Sequence, residues 1–496
     1  MQEYKNEEEF MAQRIEGNGG KTGRILFVSC IVLGMLCGWL LGSFVPVPGT
    51  QNINNEIQIS QVMSSGDKEA AIRKIMEEEW YFAKDIENLD ERLTDQSLYG
   101  MTTNEEDPHT SYMSAEEMES FTQSINRNFV GIGVQFIATN GINLVEKVFK
   151  NSPAEKYGVK AGDLIMKVDG VDVVGSSATE IKDLVQGEAG STVTITFDRE
   201  GKSIDIDIVR GAVSATAFGY MLNDDTAFLE LYNFGESSHD EIKSYLDECV
   251  ENGAKKLVID LRDNGGGYLD SLEKISSLFL PMGTIVMRSS YADGSETLTT
   301  TRGGNYRQFE KYAILINGGT ASAAEVFTLA MKENLDNVAV IGETSYGKGT
   351  VQVSRYFEDG SAIKVTQCRW LSPNGTWING VGIEPDETVL LHPVMYEAFN
   401  GIGDEEVFQV NQVSEAIFEV QEALQYLDYD IDRTDGYLSD ETSQVIARYQ
   451  EEHDLEATGE LNAETYRAII SSVNLDWASS KVHDAQLSRA LEVIGE

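Results

Sequence analysis

Gly318-Gly319-Thr320-Ala321-Ser322-Ala323-Ala324-Glu325 joins a short apolar run, Tyr312-Ala313-Ile314-Leu315-Ile316, to a stretch of helix-forming composition from Glu325 to Asn334. In that stretch Val326, Phe327, Leu329 and Ala330 are the apolar positions, so Ser322 falls where a buried strand turns into a helix. Small neighbours let a carbonyl group approach the hydroxyl, and the free N–H groups of a first helical turn stabilise a developing oxyanion. Serine is also a favoured helix N-cap, and this stretch alone does not separate a cap from a nucleophile.

A lysine between glycines, Gly347-Lys348-Gly349, follows, with Gln352 one helical-turn spacing further on. A lysine of ordinary pKa, near 10.4, is almost fully protonated at neutral pH and cannot take a serine proton. Making it a base means disfavouring the ammonium by roughly 4 kcal/mol, which requires desolvation inside a site. Flanking glycines let other chain segments close over the amine, although Gly-Lys-Gly also suits a surface turn. Gln352 either orients the amine through its side-chain carbonyl or simply belongs to a strand with Val351 and Val353.

Gly342 and Gly347-Lys348 also match the start of the phosphate loop G-x-x-x-x-G-K-[ST]. The next residue is Gly349, however, so the hydroxyl that would hold magnesium is missing.

The chain has 496 residues, 41% of them hydrophobic, enough for about three or four packed domains. Its formal net charge of −44 excludes phosphate-backbone binding, so nucleic acid is not expected as a partner. Residues 25–45 carry no charge, follow Lys21 and Arg24, and are long enough to cross a bilayer. The exit, Gly42-Ser43-Phe44-Val45-Pro46, lacks a small-residue cleavage site, which favours an uncleaved anchor with residues 1–24 in the cytoplasm and the rest outside. Of the 4 cysteines, Cys30 and Cys37 lie in that span. Pairing of Cys249 and Cys368 is left open, and no metal-ligand spacing appears.

Beyond a connector, residues 71–93 place Ile72, Ile75, Met76, Trp80, Ala83, Ile86, Leu89 and Leu93 at three- and four-residue spacings, predicting an amphipathic helix. Its apolar face fits either its own domain or a second subunit, so a homo-oligomer stays open. Phe129-Val130-Gly131-Ile132-Gly133-Val134-Gln135-Phe136 then opens a segment of short strands. It runs on through Asn151-Ser152-Pro153-Ala154, Ala161-Gly162-Asp163-Leu164-Ile165 and the tight turn at Asp169-Gly170. Residues 121–210 resemble a PDZ domain. The resemblance implies that Gly131, Ile132, Gly133 and Val134 present N–H groups to a peptide's terminal carboxylate while the peptide adds as a strand to the sheet edge.

Next, Lys256-Leu257-Val258-Ile259-Asp260-Leu261-Arg262-Asp263-Asn264-Gly265-Gly266-Gly267 runs an apolar strand into glycines. Such a turn either binds an anion through its N–H groups or packs a strand tightly on the helix that follows.

Together with Asp107-Pro108-His109-Thr110-Ser111-Tyr112, Ser372-Pro373-Asn374-Gly375 and Gly380-Val381-Gly382-Ile383-Glu384-Pro385-Asp386, these features resemble the C-terminal processing, or tail-specific, serine peptidases over residues 66–390. The resemblance implies Ser322 as nucleophile, Lys348 as general base and Gln352 as the residue that positions the lysine. It also implies Gly266 and Ala323 as the oxyanion-hole N–H groups. One departure is Asn264-Gly265-Gly266-Gly267 where the family usually has Asn-Pro-Gly-Gly, which frees the backbone at this turn. No metal or cofactor is implied. His239 and His392 lie in no recognisable catalytic segment.

Near the C-terminus, Asp435-Gly436-Tyr437-Leu438-Ser439-Asp440-Glu441-Thr442 is echoed by Thr458-Gly459-Glu460-Leu461-Asn462-Ala463-Glu464-Thr465, each copy setting Ser or Asn to cap a new helix. Residues 412–472 resemble the small helical peptidoglycan-binding domain; a helical module that only packs on its neighbour is the alternative.

The expected fold class is α+β multidomain: an N-terminal transmembrane helix, a PDZ β-barrel-like domain, a crotonase-like α/β protease core at 211–395 and a small all-α C-terminal domain. Residues 46–120 are expected as connector and helical region, 396–411 as linker and 473–496 as tail. The expected function is a membrane-anchored envelope endopeptidase acting on proteins with exposed C-terminal tails, with peptidoglycan as a second partner. The alternative is a catalytically idle PDZ and peptidoglycan-binding scaffold.

Overall fold

A computed structural model describes residues 65–495 apart from 140, 305, 307, 308 and 480. The expected anchor at 25–45 lies outside the described residues; among those described, no helix is long and apolar enough to cross a membrane.

The described residues up to Asp90 and those from Glu91 onward fall into two compact units. In the first, the expected single helix over 71–93 is broken. One helix spans Ser65–Glu78, a short 3-10 turn spans Ala83–Asp85, and a new helix starts at Leu89. Asn88 between them has φ +53°, a left-handed conformation that no helix interior accepts.

In the second unit the PDZ segment forms a sheet ordered Val134–Thr139, Ile142–Val148, Leu164–Val168, Thr192–Arg199, Lys202–Val209, with helix Ala178–Val185 against it. Val134–Thr139 is an edge strand of that sheet. The Asp169-Gly170 turn has φ +48° and +79°, as its hairpin requires.

The larger sheet runs Ala217–Met221, Thr226–Leu231, Lys256–Asp260, Lys311–Ile316, Val338–Gly342, Glu387–Thr388, parallel except for the first pair. Leu257, Ile259, Ile314 and Ile316 point into one core with helices Ser238–Glu251, Leu269–Phe279 and Ala323–Asn334. Phe228, Val258, Ala313, Leu315 and Ile341 point the other way, and there they meet Leu487, Ala490 and Ile494 of helix Ala485–Gly495. The segment 473–496, expected as a tail, is therefore a layer of the core, because strands apolar on both faces need a cover on each. Buried Arg262 bonds both carboxylate oxygens of Asp260 and both of Asp484, fixing this helix beside the glycine turn.

A second sheet, built around Thr350–Tyr356, Ala362–Leu371 and Ile285–Ser290, takes in Ser111–Met113 as an outer strand. In the C-terminal domain, helices Glu415–Tyr426, Asp440–Glu452 and Ala463–Ser479 enclose a separate core. The sequence echo has a structural cause here. Gln421 accepts from Gly436 N–H and donates to Tyr437 O, and Gln450 does the same with Gly459 and Glu460. Ser439 and Asn462 accept from Thr442 N–H and Thr465 N–H, the expected caps. Residues 396–411, expected as a linker, contribute Phe399, Ile402 and Phe408 to this core and the strand Val407–Phe408.

Candidate active site

Parallel strands in the larger sheet end on one edge, and their ends deliver Gly265 to Gly267 and Ser322 to a common cavity of about 690 Å3. Ala323, Lys348, Thr350, Gln352 and Lys364 also line it. The turn after Val338–Gly342 leads into strand Thr350–Tyr356 and not into a helix, so it lacks the helix N-terminus on which a phosphate loop depends.

Ser322 stands at the start of helix Ala323–Asn334 with φ +57° and ψ −118°, outside the extended region of an ordinary N-cap. A non-glycine residue held there costs about 1–3 kcal/mol, so the surrounding contacts must impose it. Ala323 N–H, first in the helix, has no intrahelical acceptor.

Gly266 lies directly beneath this turn: a Cβ built on it would sit 2.9 Å from each of Ala321 O, Ala323 N and Ser322 Cβ. Its N–H, expected to be an oxyanion donor, instead donates to Asn264 Oδ1 at 2.9 Å, while Asn264 Nδ2 donates to Leu231 O. The turn closes on its own asparagine.

Glu325, which the sequence offered only as the beginning of a helix, is fully buried and holds the site together. Its Oε2 accepts from Ser322 N–H at 2.8 Å and Lys348 N–H at 2.9 Å, and its Oε1 from Gly347 N–H at 2.7 Å and Ser345 Oγ at 2.6 Å. One carboxylate thus bridges the backbones that carry the serine and the lysine. The signal was Ser-x-x-Glu, a capping-box spacing; its burial was not readable, because residues 345–348 fold over it from far along the chain.

The Lys348 carbonyl accepts from Trp370 Nε1 at 2.7 Å, and Gly349 N–H donates to Asn379 Oδ1. Side chains at Gly347 or Gly349 would collide with Gly382 N or Trp377 Nε1, so the glycines do let segment 377–382 close in. Burial, then the neighbouring charge of Lys364, push the Lys348 amine below the usual lysine range, with the Glu325 charge opposing. Among the described residues Lys348 Nζ has no hydrogen-bond or ion-pair partner, and no hydrogen bond joins it to Ser322. Gln352 donates through Nε2 to Thr350 and Thr366 hydroxyls, and its oxygen has no hydrogen-bond partner among the described residues. Met287, Val326, Val351 and Trp370 give the cavity an apolar wall.

In the PDZ segment, Ile132 is buried and Gly133 has φ +83°; a Cβ there would lie 2.3 Å from Ser152 Cβ. Val134 begins the edge strand. Lys147, on the adjacent strand, donates to Glu230 Oε2 and Tyr232 OH of the larger sheet's domain. Cys249 and Cys368 are both buried and unpaired.

A strained serine, a half-buried lysine without a counter-ion and an apolar wall thus share one cavity at the ends of the parallel strands. Residues 225–389 match peptidase family S41, residues 130–209 the PDZ domain and residues 413–469 the peptidoglycan binding domain. The chain belongs to peptidase family S41 and is a serine-type C-terminal processing peptidase. It is similar to proteins named CtpA-like serine protease from Staphylococcus haemolyticus strain JCSC1435, at 32% identity over 375 residues and 75% of each chain, and from Staphylococcus epidermidis strain ATCC 12228, at 31% over 440 residues, 88% of this chain and 87% of that one. Among solved structures, the photosystem II D1 C-terminal processing protease is 23% identical, covers 66% of this chain and 94% of its own, and has a TM-score of 0.38.

Proposed function

We propose that this peptidase cleaves peptide bonds with Ser322 as nucleophile and neutral Lys348 as general base. The observation that carries the reading is the lysine amine itself, half-buried without a counter-ion and lining the cavity of the strained serine. In the attack, Lys348 takes the Ser322 proton as Oγ bonds to the substrate carbonyl carbon. The collapsing intermediate expels the amine, which takes the proton back from Lys348, and water then hydrolyses the ester. Ala323 N–H is the first oxyanion donor. Gly266 N–H becomes the second when it exchanges Asn264 Oδ1 for the substrate oxygen. Gln352 orients the lysine amine.

The substrates are extended proteins with exposed C-terminal tails, bound along Val134–Thr139 with the carboxylate at Gly131 to Val134 and an apolar side chain at the cut. Residues 25–45 anchor the chain in the membrane with the peptidase outside, and the C-terminal domain holds peptidoglycan. Cleavage of an unstructured peptide with an apolar C-terminus tests the dyad: wild type turns over, whereas Ser322→Ala and Lys348→Ala do not. Turnover by either variant refutes it, and no turnover by wild type favours the idle scaffold instead.

A further inference from the structure

The hydrogen bonds around Gln352 lead out of the peptidase match to residues 107–110, ahead of the PDZ segment. Gln352 on Thr350–Tyr356 faces Thr366 across the ladder with Ala362–Leu371. Its Nε2 donates to Thr350 Oγ1 at 2.9 Å and to Thr366 Oγ1 at 3.0 Å, which uses both amide hydrogens. Thr366 Oγ1 has one hydrogen, and it goes to Asp107 Oδ1 at 3.0 Å. Asp107 also accepts from His109 N–H at 3.2 Å and from Thr110 Oγ1 at 2.5 Å, and Thr366 N–H closes the loop on Thr110 Oγ1 at 3.0 Å. Burial opposes the charge on Asp107, but these hydrogen bonds outweigh it and hold the carboxyl below its usual range.

A carboxylate only accepts, so it sets the direction of every bond in the chain. The Thr366 hydroxyl donates to Asp107, its lone pair receives the Gln352 amide hydrogen, and the amide oxygen is the end left for the cavity that Lys348 also lines.

We propose that Asp107 is a positioning residue for Lys348, fixing the Gln352 amide through Thr366 so that its oxygen and not its NH2 group is presented to the lysine amine. The proposal rests on the serine-lysine reading above. An amide oxygen accepts one amine hydrogen and leaves the nitrogen lone pair for the serine hydroxyl; a reversed amide donates to that lone pair and competes with the serine.

With asparagine at 107, an NH2 group can donate to Thr366, whose own hydrogen then turns to Gln352 and reverses the amide. A donor facing the amine disfavours the ammonium, so the acid limb of the rate profile moves to lower pH while the maximum rate falls. The charged groups around the amine are Glu325 and Lys364, with His109 within electrostatic reach and Arg355 on the cavity wall. Substitution at Thr366 changes none of them.

The test measures kcat, KM and the pH profile of kcat on an unstructured peptide for Asp107→Asn, Thr366→Val and Thr366→Ser, with Ser322→Ala and Lys348→Ala as references. We expect Asp107→Asn and Thr366→Val to lower kcat about 10- to 100-fold with KM within about twofold. We also expect Asp107→Asn to move the acid limb to lower pH, and Thr366→Ser to restore kcat to within about threefold of wild type. Wild-type kcat and acid limb in Asp107→Asn and Thr366→Val, beside inactive references, overturn the role of Asp107 and leave the dyad standing. Activity in either reference overturns the dyad and the proposal with it. If Asp107→Asn does not fold, the threonine pair decides: equal kcat for valine and serine overturns the proposal.

Discussion

Replacing Glu325 separates its role in stability from its role in catalysis. In Glu325→Ala four donors lose their acceptor: Ser345 Oγ and Gly347 N–H, both buried, and Ser322 N–H and Lys348 N–H, both part-buried. At about 1 kcal/mol each, the low end for an unpaired donor, the loss is about 4 kcal/mol. For a core of this size that lowers Tm by roughly 8–16 °C, at about 2–4 °C per kcal/mol. Glu325→Gln is milder for a geometric reason. The new NH2 group settles opposite Ser345, whose hydroxyl can turn and accept, so two donors, the Ser345 hydroxyl and Gly347 N–H, lose their acceptor instead of four, and the cost is about 2 kcal/mol. The remaining oxygen still bridges Ser322 and Lys348. Glutamine therefore keeps more of kcat than alanine does, whereas alanine, with the bridge gone, loses about 100-fold or more because a displacement of about 1 Å costs that much. Unfolding followed by calorimetry, with peptide cleavage below the transition, checks both. An alanine variant within about 2 °C of wild-type Tm and about threefold of its kcat, or one more active than the glutamine variant, refutes the bridging argument.

Lys364→Gln removes a positive charge that disfavours the Lys348 ammonium, so the Lys348 pKa rises and the acid limb of kcat moves to higher pH; Lys364→Arg keeps the charge, and a glutamine variant with the wild-type limb contradicts this. Gly266→Ala places a methyl group 2.9 Å from the Ser322 turn at φ +101°, adding about 1–2 kcal/mol of backbone strain and displacing the serine, and cleavage at the wild-type rate would count against the close approach. Deleting 485–496 bares Phe228, Val258, Ala313, Leu315 and Ile341. The burial of Leu487 and Ile494, each worth about 1.5–3 kcal/mol, is then lost and hydrophobic dye binds the folded protein, whereas a wild-type unfolding transition without dye binding excludes the second layer.

What could be read in advance was local. Ser322 was legible because the strand before it and the helix after it each have their own pattern. The Asp169-Gly170 turn and the caps Ser439 and Asn462 were legible because each acts on residues within a few positions of itself. Features made by distant segments were not. Asp107 and Thr366 meet across the sheet pair Ser111–Met113 and Ala362–Leu371, and no spacing encodes that. Gly266 lies against the Ser322 turn, but that approach brings together two turns far apart in the chain, and its N–H bond to Asn264 Oδ1 has no spacing signature of its own. In residues 71–93 the three- and four-residue spacing continued past Trp80, yet the chain turns at Asn88, since a periodic apolar face does not itself require an unbroken backbone.

The C-terminal helix is a different case, because its place follows from patterns that are local on both sides of the contact. Leu257-Val258-Ile259 and Ala313-Ile314-Leu315-Ile316 are apolar at consecutive positions, and such strands need cover on both faces of their sheet. Helices 238–251, 269–279 and 323–334 all pack on one face. Leu487, Ala490 and Ile494 have the three- and four-residue spacing of a covering helix, and Asp484 before them supplies the carboxylate that Arg262 needs once buried. The peptidoglycan-binding domain is therefore inserted between the sheet and its last layer and is held to the core at both ends. Truncation after residue 395 would remove not an appendage but one face of the peptidase, and with it the Arg262–Asp484 pair that fixes the strand leading into the glycine turn.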